Sequence, residues 1–482
     1  MAKRKMSTFE RLQDGRMNRK QRRELGRRLH SEDPGLEVVH ADAAGIDIGN
    51  ESHFVSIPAD RDPVPVREFG SWTAALHEMA SWLKEHGIRT VAMQSTGVYW
   101  IAVQEVLEQA GLEVYLVNAR GTKNLPGRKS DVQECAWLRK LHTYGLLRNS
   151  FRPPEEIRAV RTIWRQRDRL VKDSGRTVQQ MQKALTTMNV QLANTISDIS
   201  GVSGQAILRA IVAGIRDPWE LAKLRDKRIM ASEDEIAHSL QGNWREDVIF
   251  ELRQVLEAYD FYQKQMAGCD QELTKYTAAV ASREITEKHE VPKGTSELPS
   301  SKPARRSKTR RKNQPGFDLP AELERTMGVD LTRIDGIDVM TAQMIFSEIG
   351  PDFGAFPDEN HFASWLTLAP QNDISGGKVI RHVPAAGRNR VANALRMAAQ
   401  SLSRSNSYLG ARYRRLRARL DGPLAVKAMA RYLACLVYRM VTKGQAYVDR
   451  GAAHYESKRQ GRERVALERR AASLGLKLVA AT

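Results

Sequence analysis

Cysteine is scarce: three in 482 residues, at Cys135, Cys269 and Cys435. They stand far apart and without metal-type spacing. That argues against a disulfide framework or a zinc site, and a reducing, cytoplasmic setting is expected. Long apolar runs are missing as well. No stretch reaches the length that spans a bilayer, and the N-terminus has no apolar signal core, so no membrane partner is expected. Acids are in deficit. Lys and Arg number 76 against 57 acids, a formal charge of +19, and so large an excess points to a polyanion, most commonly nucleic acid. The excess is clustered: 11 Lys/Arg against three acids in residues 1–30, seven and no acid from Lys302 to Lys312, and an Arg-rich run from Arg404 to Arg419.

What is present reads as α/β followed by mostly α. Residues 1–36 are polar and basic, an N-terminal arm. Short β-like runs follow at Ala44–Ile48, Ser52–Ile57 and Val64–Phe69. Then come a helix at Ala74–Glu85, a strand at Arg89–Met93, a helix at Tyr99–Gln109 and a strand at Glu113–Val117. Three early strands and then alternating helix and strand is the order of a ribonuclease-H-like domain, here spanning 37–153, with a closing helix from near Ser130. Two long apolar periodicities occupy 154–285. One runs from Ile157 to Leu192 with Arg167 and Ser174 as polar interruptions, and the other from Val248 to Tyr276. Sustained three- and four-residue steps predict a coiled coil, pairing within one chain or between subunits, with a small helical insertion at Asp198–Arg245. Self-association as a dimer or tetramer is expected. A basic linker (286–319), a C-terminal domain (320–450) and a basic tail (451–482) complete the chain. The C-terminal domain opens on Leu331–Ile337 and Thr341–Ile349, which resemble a helix–hairpin–helix, a motif whose Gly turn offers backbone N–H groups to phosphate.

Four positions suggest a metal centre. Asp47 lies in a strand whose neighbours Ile46 and Ile48 point to the opposite, buried face. Gln94 ends the fourth strand. Asp131 and Glu134 are three apart and share a helix face. Oxygen ligands in this order suit two Mg²⁺ (or Mn²⁺) ions flanking a scissile phosphate. Individually each has a bland reading, such as a helix cap or a solvated face. Far downstream, Ser375 precedes Gly376 and Gly377 in a polar stretch, with Lys378, Arg381, His382, Arg388 and Arg390 close behind. Glycines let backbone approach a phosphate closely. A serine hydroxyl still needs a base or a metal to act as a nucleophile, and spacing alone favours a simple turn.

The chain resembles the DEDD-type insertion-sequence transposases of the IS-one-ten family, in particular the IS-eleven-eleven branch. The likeness rests on Gly45–Gly49, Ser95-Thr96-Gly97-Val98-Tyr99-Trp100, Gly127-Arg128-Lys129-Ser130-Asp131, Gly145-Leu146-Leu147-Arg148 with Ser150-Phe151-Arg152-Pro153, Gly242-Asn243-Trp244-Arg245, and Ile374–Lys378. The resemblance implies a RuvC-like N-terminal domain, a coiled-coil middle and a C-terminal transposase domain whose nucleophile is Ser375. It implies metal-binding acids at Asp47, position 94, Asp131 and position 134, and a DNA recombinase guided by a structured bridge RNA. It also implies a composite site in which the RuvC-like domain of one subunit meets the serine of another. Gln94 and Glu134 depart from the four-acid pattern. Gln94 brings a neutral oxygen, and Glu134 a longer arm.

Two other readings compete with a transposase. One is a RuvC-like nuclease acting by hydrolysis, which would not need Ser375. The other is a degenerate nucleic-acid-binding protein, motivated by Gln94. Arg128, Lys129, Arg305, Arg306, Arg310, Arg311, Lys378, Arg381, Arg388 and Arg390 are the expected nucleic-acid contacts, largely to phosphate and without sequence preference. A nucleoid-associated bacterial protein would result.

Overall fold

The computed structural model describes residues 19–31, 34–95, 97–118, 131–283, 313–375, 378–383, 389–444 and 451–477. The chain divides into two compact units: Met1–Arg152 with Ile374–Lys378, and Pro153–Asp373 with Val379–Thr482. Among the described residues no helix is long and apolar enough to cross a membrane.

The first unit opens with helix α1 (Arg19–His30). This corrects the expectation of a basic arm over these residues: Leu25 and Leu29 sit one turn apart and are buried. A five-stranded sheet follows, with β1 (Ala43–Ile48), β2 (Ser52–Ser56), β3 (Val66–Gly70), helix α2 (Thr73–Glu85), β4 (Thr90–Gln94), helix α3 (Trp100–Gln109), β5 (Glu113–Val117) and helix α4 (Asp131–Thr143). The strand order is β3-β2-β1-β4-β5. The first three strands are antiparallel, and β4 and β5 lie parallel to β1. This order is consistent with the expected ribonuclease-H-like domain. Period-two alternation splits the sheet's side chains between two cores. Ile46, Ile48, Val91 and Met93 pack with Met79, Leu83, Val103 and Leu107 of α2 and α3. Ala92 and Val117 pack instead with Leu138 and Leu141 of α4 and with Leu25 and Leu29.

From Pro153 on, the described residues are helical apart from one short sheet. Helix α5 (Glu155–Thr187) leads into α6 (Leu192–Thr195), α7 (Val202–Val212), α8 (Pro218–Ala222) and α9 (Glu233–Ser239), and the chain returns along α10 (Glu246–Ala279). The two long helices pack on one another within the chain and run antiparallel, since Arg167 meets Asp270 and Ser174 meets Gln263. The polar interruptions of the seam are therefore paired across it. The buried face of α10 also turns from the expected line: Asp270 and Thr277 are buried, while Tyr276 is 43% exposed. A straight helix at 3.6 residues per turn drifts off a 3.5-residue repeat, so the contact face shifts by one position over this length. The short helices between them carry their own core around Ile207, Ile211, Leu221 and Ile236.

Helices α11 (Leu319–Met327), α12 (Val339–Ile349) and α13 (Glu359–Trp365) follow, with a 3₁₀ turn at Leu331–Arg333 before α12. Strands β6 (Gln371–Ser375) and β7 (Lys378–Val383) form a two-stranded sheet, and helices α14 (Arg390–Ser401), α15 (Tyr408–Arg419), α16 (Gly422–Lys443) and α17 (Gly451–Ser473) close the chain. Most of the segment expected to be a basic tail is thus the helix α17. Gly336, expected to offer its turn to phosphate, has φ +89° and lies against the Ala398 carbonyl and the Leu402 side chain, so its tight turn serves packing on α14.

Candidate active site

The geometry begins at Gly45. Helix α4 crosses β1 so closely there that a Cβ at position 45 would collide with backbone atoms of Cys135 and Arg139. No side chain fits, and the glycine lets the helix sit directly on the strand. Two residues further along the same face, Asp47 looks toward the first turn of α4, which carries Asp131 and Glu134. Gln94 ends β4 on this face as well, by alternation from Ala92, and it follows the last pair of the parallel register, Ile46 with Met93. Gly45→Ala is expected to displace α4 and to cost about 2–3 kcal/mol of stability. Urea denaturation checks this.

The negative charges of Glu134 and Asp131 act on Asp47. The Asp47 carboxyl is pushed up to about 6, first by burial, then by the negative charge of Glu134, then by that of Asp131, against a lowering hydrogen bond from the Ile48 backbone. Asp131 is exposed and Glu134 half-buried, both at a helix N-terminus whose dipole favours negative charge. Beside them the Cys135 thiol is buried, donates to the Val132 carbonyl at 3.1 Å and is pushed up to about 11, mainly by burial. It stays a neutral thiol and is no nucleophile. His142, on the same helix, is buried, stacks on His40 at 4.5 Å and contacts the Thr90 hydroxyl at 2.8 Å. Burial pushes it down to about 3, so it is a neutral core residue.

Oxygen donors and crowded negative charge suit a hard divalent cation, which would relieve the repulsion that lifts Asp47. Among the described residues, however, no three His, Cys, Asp or Glu side chains are grouped closely enough to hold an ion. The three carboxylates are coupled through their charges and do not form a closed ligand cage.

Ser375 is the last residue of β6, and Lys378 and Arg381 stand in β7. Arg128, Lys129, Arg305, Arg306, Arg310, Arg311 and Arg388, with Gly376 and Gly377, lie outside the described residues. Arg390 is engaged inside its own unit, donating to Asp168 at 3.0 Å and lying 3.9 Å from Glu348. Sequence reasoning missed Glu348. It is nearly buried, and Arg165 grips it with two hydrogen bonds of 2.8 and 2.7 Å while Arg161 lies at 3.2 Å. Partners 183 and 187 residues away leave no periodic trace.

Two family models match the chain. A DEDD-type IS110 transposase model covers residues 44–190, taking in Asp47, Gln94, Asp131, Glu134 and all of α5. A model described as Transposase IS116/IS110/IS902 family covers residues 330–414, taking in α12, Ser375 and most of α15. Together they support the IS110 transposase family, and the chain is an enzyme that acts on DNA. No curated protein matches it.

Proposed function

We propose, with the two transposase matches as premise, that this enzyme moves an insertion sequence by cutting and rejoining DNA through a phosphoserine at Ser375, guided by a structured RNA. Asp47, Asp131 and Glu134, with Gln94 as a neutral oxygen, would hold Mg²⁺ or Mn²⁺. The observation that carries this reading is the coupling of Asp47 to Glu134 and Asp131 on one sheet face, inside the stretch that the DEDD model covers.

In the proposed step the Ser375 hydroxyl gives up its proton as its oxygen attacks phosphorus. The bond from phosphorus to the leaving sugar oxygen breaks, and that oxygen takes up a proton. Attack on the phosphoserine by a sugar hydroxyl of another strand reverses these events, so strands rejoin without ATP. A divalent cation, when bound, supplies positive charge against the phosphate oxygens. Subunits associating through the long helices could bring one copy's acids to another's serine, with base pairing to the RNA supplying sequence choice, as in other RNA-guided effectors.

The test is a protease-sensitive protein–DNA adduct formed with the element's own flanking DNA. The adduct is expected in the wild type and absent in Ser375→Ala, with DNA binding unchanged. Cleavage that survives in Ser375→Ala would identify a hydrolytic nuclease instead.

A further inference from the structure

The outer face of α5 carries a row of cations. Arg165, Arg169, Lys172, Arg176 and Lys183 follow one another at steps of four, three, four and seven residues. At 100° per residue they fall within about 60° of the helix circumference, on the side away from the buried Leu170, Ser174, Thr177 and Met181. The first of the row is taken, since Arg165 grips Glu348. The other four are exposed. Arg169 donates to a neutral amide oxygen of Gln166 at 2.6 Å. Lys172 and Arg176 each meet one flanking acid, Asp168 at 2.6 Å and Asp173 at 2.7 Å, with their own side chains 64% and 75% exposed. Exposed pairs of this kind are weak, and a phosphate can displace them. Lys183 has Gln179, Gln180, Thr186 and Thr187 one turn to either side, with no acid among them.

A charged face is ordinarily solvated and mixes its signs. Helix α17 does so, pairing Arg459 with Glu463 and Arg464 with Glu468. Helix α5 instead stacks like charges three and four residues apart, where they repel. Its partner in the strut has the opposite balance: α5 holds eight Lys/Arg and four acids, and α10 three Lys/Arg and seven acids. One helix of the pair therefore attracts a polyanion and the other repels it.

We propose that Arg169, Lys172, Arg176 and Lys183 form a docking ridge for the sugar–phosphate backbone of a nucleic-acid duplex. This rests on the nucleic-acid reading above and gives it a surface. The row spans 14 residues, about 21 Å, which matches about six base pairs. A helix held straight by its neighbour suits a stiff duplex lying along it. Lysine and arginine side chains gripping phosphates set position and leave the base sequence unread. A membrane surface would require apolar side chains in the row, and it has none. The acidic α10 confines the duplex to one side of the strut.

The experiment is fluorescence anisotropy of the full chain, in EDTA, from about 50 to 200 mM salt. The probes are a labelled DNA duplex and an RNA duplex of the same sequence. Replacing all four cations by Gln, a good helix former, is expected to weaken binding more than about tenfold. It is also expected to make the plot of log affinity against log salt shallower by about four, roughly one per lost phosphate contact. A comparison variant changes Arg253, Lys264 and Lys275 of α10 to Gln and is expected to keep the wild-type slope. Lys183→Gln alone is expected to lower the slope by about one, and it decides the matter should the fourfold variant fail to fold. An effect on only one of the two probes identifies whether the ridge carries DNA or RNA. Unchanged slopes in the α5 variants sink the ridge and leave the nucleic-acid reading standing. Equal losses in the α5 and α10 variants, a response to net charge alone, overturn it too. A loss of dimer mass with an unchanged slope would give the row to the acidic α10 of a second copy, against the proposal. A wild type that binds neither duplex would defeat the nucleic-acid reading and the ridge with it.

Discussion

Asp47→Asn is expected to abolish strand cleavage, by roughly a thousandfold or more, and at the same time to make the metal-free chain more stable at neutral pH. Both effects have one cause. Asp47 sits half-buried against Glu134 and Asp131, and its carboxyl is held up at about 6 against an ordinary 3.8. Because the folded state binds this proton more tightly than the unfolded chain, stability falls as pH rises from about 4 to about 6 and stays lower above that. Asparagine removes the charge and hence the penalty. After allowing for solvent screening at a half-exposed site, the gain at pH 7.5 is about 1 kcal/mol, and it vanishes near pH 4. Excess Mg²⁺ should stabilise the wild type and not the variant, reversing their order. Thermal melts at the two pH values, with and without Mg²⁺, check this. A variant less stable than the wild type at pH 7.5 without metal would mean that Asp47 is a structural residue.

The second large effect is expected at the centre of the helix pair. Arg167 is 3% exposed, donates to both carboxylate oxygens of Asp270, and gives a further hydrogen bond of 2.8 Å to the Asn313 carbonyl. Asp270 in turn accepts from the Gly316 backbone at 2.8 Å. One ion pair thus joins α5, α10 and the chain that leads into α11. Asp270→Ala leaves a guanidinium buried without its counter-charge and is expected to cost about 3–5 kcal/mol in urea denaturation. Replacing both partners, as Arg167→Met with Asp270→Leu, is expected to recover most of the loss, since a well-packed apolar pair avoids the desolvation of two charges. A double variant as unstable as the single one would place the function of Asp270 in its contact with Gly316.

The sheet of the first unit was legible because its strands alternate and its helices carry apolar stripes. Glu113–Val117 reads as β5 without adjustment, and β1 is extended by one residue. Asp47 and the Asp131/Glu134 pair followed from period two in the strand and a three-residue step in the helix. The close approach over Gly45 was not legible, because it depends on where α4 lies in space. Helix α1 was hidden by its composition: two leucines one turn apart among six Lys/Arg read as a solvated arm. Strand β6 was hidden as well. Asn372 and Asp373 are poor strand formers, and its pairing with β7 decides the conformation. Glu348 and its arginines come together only when α5 and α12 fold onto one another.

The paired helices α5 and α10 have a mechanical consequence. At 33 and 34 residues they form a strut about 50 Å long, close to the length of fifteen base pairs of duplex. Arg161 and Arg165 clasp Glu348 near one end, and the small core around Ile207 and Leu221 caps the other. Such a strut cannot be lengthened residue by residue, because each insertion turns every later side chain by about 100° away from its partner. Only matched changes of whole heptads preserve the seam. Its reach is therefore quantised in steps of about 10 Å, or three base pairs.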